Sequence, residues 1–148
     1  MRLGLVTWLV AAEWDLDTLI QRCTECGVEG VELRTTHAHG VEPQLSRAER
    51  ETVRRQFVDA GICLWGLGTA CQYDATDPAE LTRNVELTRE FVQLAADVGA
   101  VGVKVRPNRL HVDEGVAREE TLEQIGNAFR ECGMNAADQG VELWMEVH

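Results

Sequence analysis

A glycine that closes a helical pattern and opens an apolar strand recurs at Gly27, Gly61, Gly99 and Gly140, at spacings of 34, 38 and 41 residues. A period of this length marks one supersecondary unit used repeatedly. Ahead of each glycine lies an amphipathic segment: Leu16, Leu19, Ile20, Cys23 and Cys26; then Val53, Phe57 and Ala60; then Leu87, Phe91, Leu94 and Val98; then Leu122, Ile125, Phe129 and Cys132. Two helix starts are signalled explicitly. Ser46 and Glu49 form a capping box, and Asp77, Pro78 and Glu80 supply an N-cap, a first-turn proline and a first-turn acid. After each glycine comes a short β-rich run, "GVELRT", "CLWGLG", "VGVKVRP" and "VELWMEV", and "LGLVTW" stands in front of them all. The order is therefore βαβαβαβαβ, which requires parallel strands joined by crossover helices.

A parallel α/β chain folds as an open sheet covered on both faces or as part of an eight-stranded barrel. Strand polarity separates the two. Strands of an open sheet lie under helices on both sides and are apolar throughout, whereas a barrel strand meets helices on its outer face only. The second strand sets Val31 and Leu33 against Gly30, Glu32 and Arg34, and the fourth sets Val101, Val103 and Val105 against Gly102, Lys104 and Arg106. The fifth sets Val141, Leu143, Met145 and Val147 against Glu142, Trp144, Glu146 and His148. Three of five strands thus keep one apolar and one charged side, which favours the wall of a (β/α)8 TIM-type barrel. Such a barrel takes about 250 residues. The 148 residues supply four βα units and one strand, so residues 1–148 are expected to be a single partial domain, the N-terminal five strands of a larger barrel. A half-barrel that pairs with another chain is the alternative.

Composition narrows the partners. The chain holds 25 acidic and 14 basic residues, a net charge of −11, and no basic run long enough to follow a phosphate backbone. Nucleic acid and anionic membrane surfaces are therefore not expected partners, and no apolar run approaches the roughly 18 residues of a membrane helix. Leu3 to Ala12 behind Arg2 imitates a signal peptide, but Thr7 and Trp8 interrupt it and a helix start follows at once. Five cysteines without a second close pair suit a reduced, cytoplasmic protein better than a disulfide framework. Cys23 and Cys26 form a C-x-x-C, but both fall on the apolar stripe of the first helix and are expected to be small buried residues.

In a barrel the loops after the strands carry the chemistry. The rim positions are Trp8; Arg34, Thr35, Thr36, His37 and His39; Gly66, Gly68 and Thr69; Lys104, Arg106 and Asn108; Glu146 and His148. Gly66 and Gly68 either let a ligand approach the backbone or ease a turn. Lys104 and Arg106 are a clamp for an anionic or polyhydroxylated substrate, or ion-pair partners of inward acids such as Glu32 or Glu142, or both. Glu146 is the leading catalytic candidate. An inward carboxylate at a strand end is costly unless it binds a metal, meets a base or takes a proton from substrate. Oxygen ligands suit Mg²⁺ or Mn²⁺, and neighbouring imidazoles would admit Zn²⁺ or Co²⁺. His148 is a ligand, a substrate donor or the start of a loop, and His37 with His39 forms an H-x-H just ahead of Gly40 and Pro43 that can hold zinc or stand as loop side chains.

"GVELRTTHAHGVEP", "VGVKVRPN" and "GVELWMEVH", in this order on this scaffold, resemble the sugar phosphate isomerase/epimerase group of the xylose isomerase-like TIM barrels. The resemblance spans the whole chain but only the first five strands of the fold. It implies a Glu at the end of strand five that ligates a divalent metal and serves as an acid or base, which by position is Glu146. The remaining ligands it implies, an Asp, a His and a second Glu on strands six to eight, have no counterpart in these residues. The implied reaction moves a proton between or at carbons next to a carbonyl through an enediolate of a sugar or sugar phosphate. Glu146 would be the base or a ligand, and Lys104, Arg106 and His148, with Arg34, His37, His39 and Trp8 on the same rim, would position the substrate. Three rivals stand beside it. A DNA-repair endonuclease barrel is opposed by the charge. A metal-dependent hydrolase would use H-x-H after the first strand rather than the second. A non-catalytic binding or assembly module fits if 148 residues is the natural length.

Overall fold

A computed structural model describes residues 2–107 and 109–146. Asn108, Val147 and His148 therefore lie outside the described residues. The strands are β1 (Gly4–Val6), β2 (Gly30–Arg34), β3 (Cys63–Gly68), β4 (Gly102–Val105) and β5 (Glu142–Met145), and the helices are α1 (Leu16–Glu25), α2 (Arg47–Ala60), α3 (Pro78–Val98) and α4 (Arg118–Asp138), with a 3-10 turn at Val112–Glu114. The strands form one parallel sheet in chain order. Sequential order with a helix after each of the first four strands is the arrangement of a barrel wall, as the alternating polarity predicts.

Local signals set the helix ends. Ser46 accepts from the Glu49 amide while the Glu49 carboxylate accepts from the Ser46 amide, and Asp77 accepts from the Ala79 amide with Pro78 in the first turn. All four repeat glycines take left-handed backbone, with φ between +67° and +79°, a region that a side chain penalises. Each one turns the chain sharply from helix to strand. The turn at Gly27 corrects one expectation: α1 stops at Glu25, so only Cys23 of the C-x-x-C is buried and Cys26 is exposed.

The core lies between the sheet's outer face and the helices. Val31, Leu33, Leu64, Leu67, Val103 and Val105 are buried there against Leu19, Val53, Phe57, Phe91, Leu94, Val98, Ile125 and Cys132. Burying apolar surface at about 25 cal/mol per Å² makes this layer the main source of stability. Two helical positions differ from the expected stripe. Leu87 and Leu122 are exposed, and the adjacent Thr88 and Thr121 are buried instead. Each threonine hydroxyl donates to a backbone carbonyl, Thr88 to Asn84 and Thr121 to Leu110, so its polarity is satisfied inside. Among the described residues no helix is long and apolar enough to cross a membrane.

The inner face is built around a bulge. Val31 pairs with Leu64 but Glu32 pairs with Gly66, so Trp65 is the extra residue of β3. The shift aims Gly66 and Gly68 inward and Leu67 outward. Their missing side chains are then needed, because a Cβ at Gly66 or Gly102 would lie 2.6 Å from the Trp144 ring, and one at Gly68 would lie 2.7 Å from Glu32 Oε1. These glycines thus make room for the protein's own side chains, which neither reading of Gly66 and Gly68 from sequence anticipated. Trp144 stacks on Trp65 with ring centroids 5.6 Å apart, and its indole N–H donates to Glu142. Gly102→Ala should therefore force the indole off its seat, lower unfolding stability by about 1–3 kcal/mol and alter tryptophan emission. Urea titration followed by fluorescence tests this, and wild-type stability with unchanged emission would contradict it.

Candidate functional site at the strand ends

Glu32 on β2, Lys104 on β4 and Glu146 just after β5 converge on the inner face. Lys104 Nζ lies 2.6 Å from Glu32 Oε1 and 3.2 Å from Glu146 Oε2, with side-chain exposures of 18%, 11% and 33% for Lys104, Glu32 and Glu146. The ammonium thus bridges two carboxylates across β3, in space that Gly68 leaves open. Partial burial strengthens such contacts and makes loss of one partner costly. The ion-pair reading of Lys104 is thereby realised with Glu32, whereas Glu142 points its carboxylate at Trp144 instead.

Arg34 and Arg106 flank this triad. Arg34 Nη1 donates to the carbonyls of Gly68 at 2.6 Å and Thr69 at 2.5 Å, and its guanidinium carbon lies 5.9 Å from the Trp8 ring centroid, a cation–π approach. Burial, and then the positive charge of Arg106, pull the Arg34 pKa below its ordinary value against the opposing pull of Glu146 and Glu32. The Arg106 amide donates to Cys71, whose thiol burial pushes upward in pKa. Trp8 itself is half-exposed beyond β1.

The two loop histidines behave differently from each other. His39 is buried, with Nε2 2.9 Å from the Arg34 carbonyl and Nδ1 accepting from the Val41 amide. Both ring nitrogens are spent on backbone, so His39 is neutral, protonated at Nε2 and unable to ligate zinc or grip a substrate. It braces the β2–α2 loop, in place of the substrate contact expected for it. Thr7 accepts from the Arg34 amide and faces His37 Nδ1 at 3.4 Å, which leaves His37 half-buried near the rim. The H-x-H rings sit edge to face at 63°, and not side by side as on a strand. His148 falls outside the described residues.

A second ionisable group at this end of the sheet comes from residues outside the sequence motifs. Asp74, buried in the loop after β3, lies 3.1 Å from His111 Nε2 and accepts from the Arg109 amide, both in the loop after β4. His111 Nδ1 lies 3.2 Å from Glu114, and Arg109 pairs with Asp113 and Glu114. Gln124 of α4 donates to the carbonyls of Tyr73 and Ala75. These contacts tie the two loops together. The one available signal was position, since both loops follow barrel strands.

Among the described residues no cluster of three His, Cys, Asp or Glu side chains could hold a metal ion. Glu146 has suitable donor chemistry, but one of its oxygens faces Lys104, and alone it does not make a site. The residues at hand do not complete a metal centre.

A family model described as xylose isomerase-like TIM barrel matches residues 20–148. The chain belongs to that family. No curated protein sequence matches it significantly. Solved structures that it resembles include IolI with a bound zinc atom (TM-score 0.82, 16% identity, covering 99% of this chain and 51% of that one) and D-psicose 3-epimerase with D-fructose (0.76, 19%, 97% and 51%). Another is 3-keto-D-glucoside 4-epimerase YcjR from E. coli (0.75, 12%, 98% and 55%). At these identities the likeness is one of fold. The chain spans about half the length of these structures, and its five strands form a partial barrel.

Two tests follow from the geometry. Lys104→Met should destabilise the protein by roughly 3 kcal/mol by leaving Glu32 uncompensated, and adding Glu32→Gln should restore part of that loss. Chemical denaturation of the three variants gives the coupling, and strictly additive effects would contradict the pair. His39 is held below its ordinary pKa of 6.5 chiefly by burial, with the Arg34 carbonyl opposing and His37 adding to the effect. The unfolded chain therefore takes up this proton first on acidification. Its contribution to stability is intact above about pH 6.5 and is lost as the pH falls toward the lower folded value. Unfolding midpoints across that range should fall for the wild type and flatten for His39→Gln.

Proposed function

We propose that the barrel to which these strands belong is a metal-dependent isomerase or epimerase of a sugar or sugar phosphate. The observation that supports it most directly is Glu146, placed immediately after β5 on the inner side with Lys104 Nζ 3.2 Å away. In this reading the Glu146 carboxylate takes a proton from a carbon next to a carbonyl. The Lys104 ammonium offsets negative charge as the enediolate forms, and the proton is then returned to the neighbouring carbon or to the other face. A divalent cation, of Mn, Mg, Co or Zn type, belongs to the proposal with Glu146 as one ligand, and when bound it would polarise the substrate's oxygens. Arg34, Arg106, Trp8 and His37 border the same space and are the proposed substrate contacts. The partner is a small sugar in the cytoplasm, with no nucleic acid or membrane involved, and a second copy of the chain is the remaining candidate partner.

The test is solvent exchange. The full-length protein, supplied with Mn²⁺ and a panel of ketoses and their phosphates in D2O, should wash deuterium into the carbon beside the carbonyl. Glu146→Gln should lose this at least about 100-fold, the scale of a positioned general base, while its circular dichroism stays that of the wild type. Normal exchange by that variant would sink the assignment.

A further inference from the structure

We propose that Arg34 and Arg106 form a subsite for the anionic end of the ligand, a carboxylate or phosphate group, at the ends of β2 and β4 across the end of β3. The inference refines the reading of this rim as a sugar site and names the ligand chemistry that one part of it accepts.

The argument starts from charge. Five ionisable side chains meet on this wall, the cations Arg34, Lys104 and Arg106 and the acids Glu32 and Glu146. Both acids are drawn to one of the cations, because Lys104 contacts each of them directly. Among the described residues neither guanidinium forms an ion pair. Arg34 gives Nη1 to two neutral carbonyls, which fix its orientation without cancelling its charge. Arg106 keeps a buried Nε–H with no acceptor among the described residues. An orphaned buried donor on a charged group is expensive and calls for a partner that the described residues do not supply. The two guanidiniums also repel each other, as the downward pull of Arg106 on Arg34 shows. Holding like charges together in partial burial costs stability unless an anion sits between them.

The setting sharpens the point. The chain carries a net charge of −11, yet at the strand ends of this wall three cations meet two acids, Glu142 lying at the opposite end of β5. Planar guanidiniums suit the paired oxygens of carboxylate and phosphate, whereas a neutral hydroxyl needs no such excess. The Trp8 ring beside Arg34 closes one side with a partly apolar surface. Lys104, which the spacing alone would pair with Arg106 as the clamp, is already committed to Glu32 and Glu146. The anion therefore falls to Arg106 and Arg34.

The experiment is metal-free binding to the full-length protein, read by calorimetry, with glycolate and inorganic phosphate as the anionic probes and ethylene glycol as the neutral one. The expected result is saturable binding of at least one anion, none of ethylene glycol, and an affinity at least about tenfold weaker in Arg106→Gln. Arg106 carries no hydrogen bond of its own side chain within the described residues, so this variant should keep the wild-type unfolding midpoint. Glu146→Gln should bind the anion as well as the wild type or better. Preference for glycolate or for phosphate identifies the acid group. No anion-selective binding, or equal binding by Arg106→Gln, overturns the subsite. Because no turnover is measured, loss of the isomerase reading in the exchange assay would leave this result standing, and exchange with neutral sugars but no anion binding would remove only the subsite.

Discussion

The arrangement of the inner face depends on one ammonium group. Lys104 reaches from β4 to Glu32 on β2 and Glu146 beyond β5, so its two contacts span four of the five strands. Without it two carboxylates would face each other in a partly dry space, and desolvation would work against both. With it they are held at fixed positions, and the rim acquires its polarity. The guanidiniums are left without an acidic partner among the described residues.

That contact is itself licensed by the strand in between. Glu32 can cross to Lys104 only because Gly68 puts no Cβ in its path, and Trp144 can lie over the sheet only because Gly66 and Gly102 are bare. Backbone and side chains are therefore specified together. The same economy appears at His39, whose imidazole serves two backbone groups and stiffens the loop that carries His37. A rigid layer under the rim would suit the proposed proton transfer, since small misplacements of a base cost much of its effect.

The repeat, the helix caps and the two-sided strands were legible in the sequence because each is a local property. Ser46 finds Glu49 three residues on, Gly61 and Gly99 sit where a helix must stop, and Val103 and Val105 alternate with Lys104. Parity alone puts Glu32 and Lys104 on one face. The features that escaped depend on partners far along the chain. Asp74 and His111 meet across two loops with no periodicity to align them. His39 looked like half of a metal motif, since nothing local reveals that the Arg34 carbonyl and Val41 amide would claim both nitrogens. "CLWGLG" could not be divided into faces by alternation, because alternation breaks inside it.

That break at Trp65 gives β3 six residues where β2 uses five. Chain length inside this strand thus carries information, as it does not in the loops. Removing the extra residue would close the bulge and leave Gly66 and Gly68 inward and Leu67 outward, whereas inserting one after Gly66 would turn Leu67 toward the charged wall and Gly68 toward the helices. Sequence divergence among relatives can alter side chains on β3 with local effect, but an insertion after Gly66 would dismantle the wall on which the rim stands.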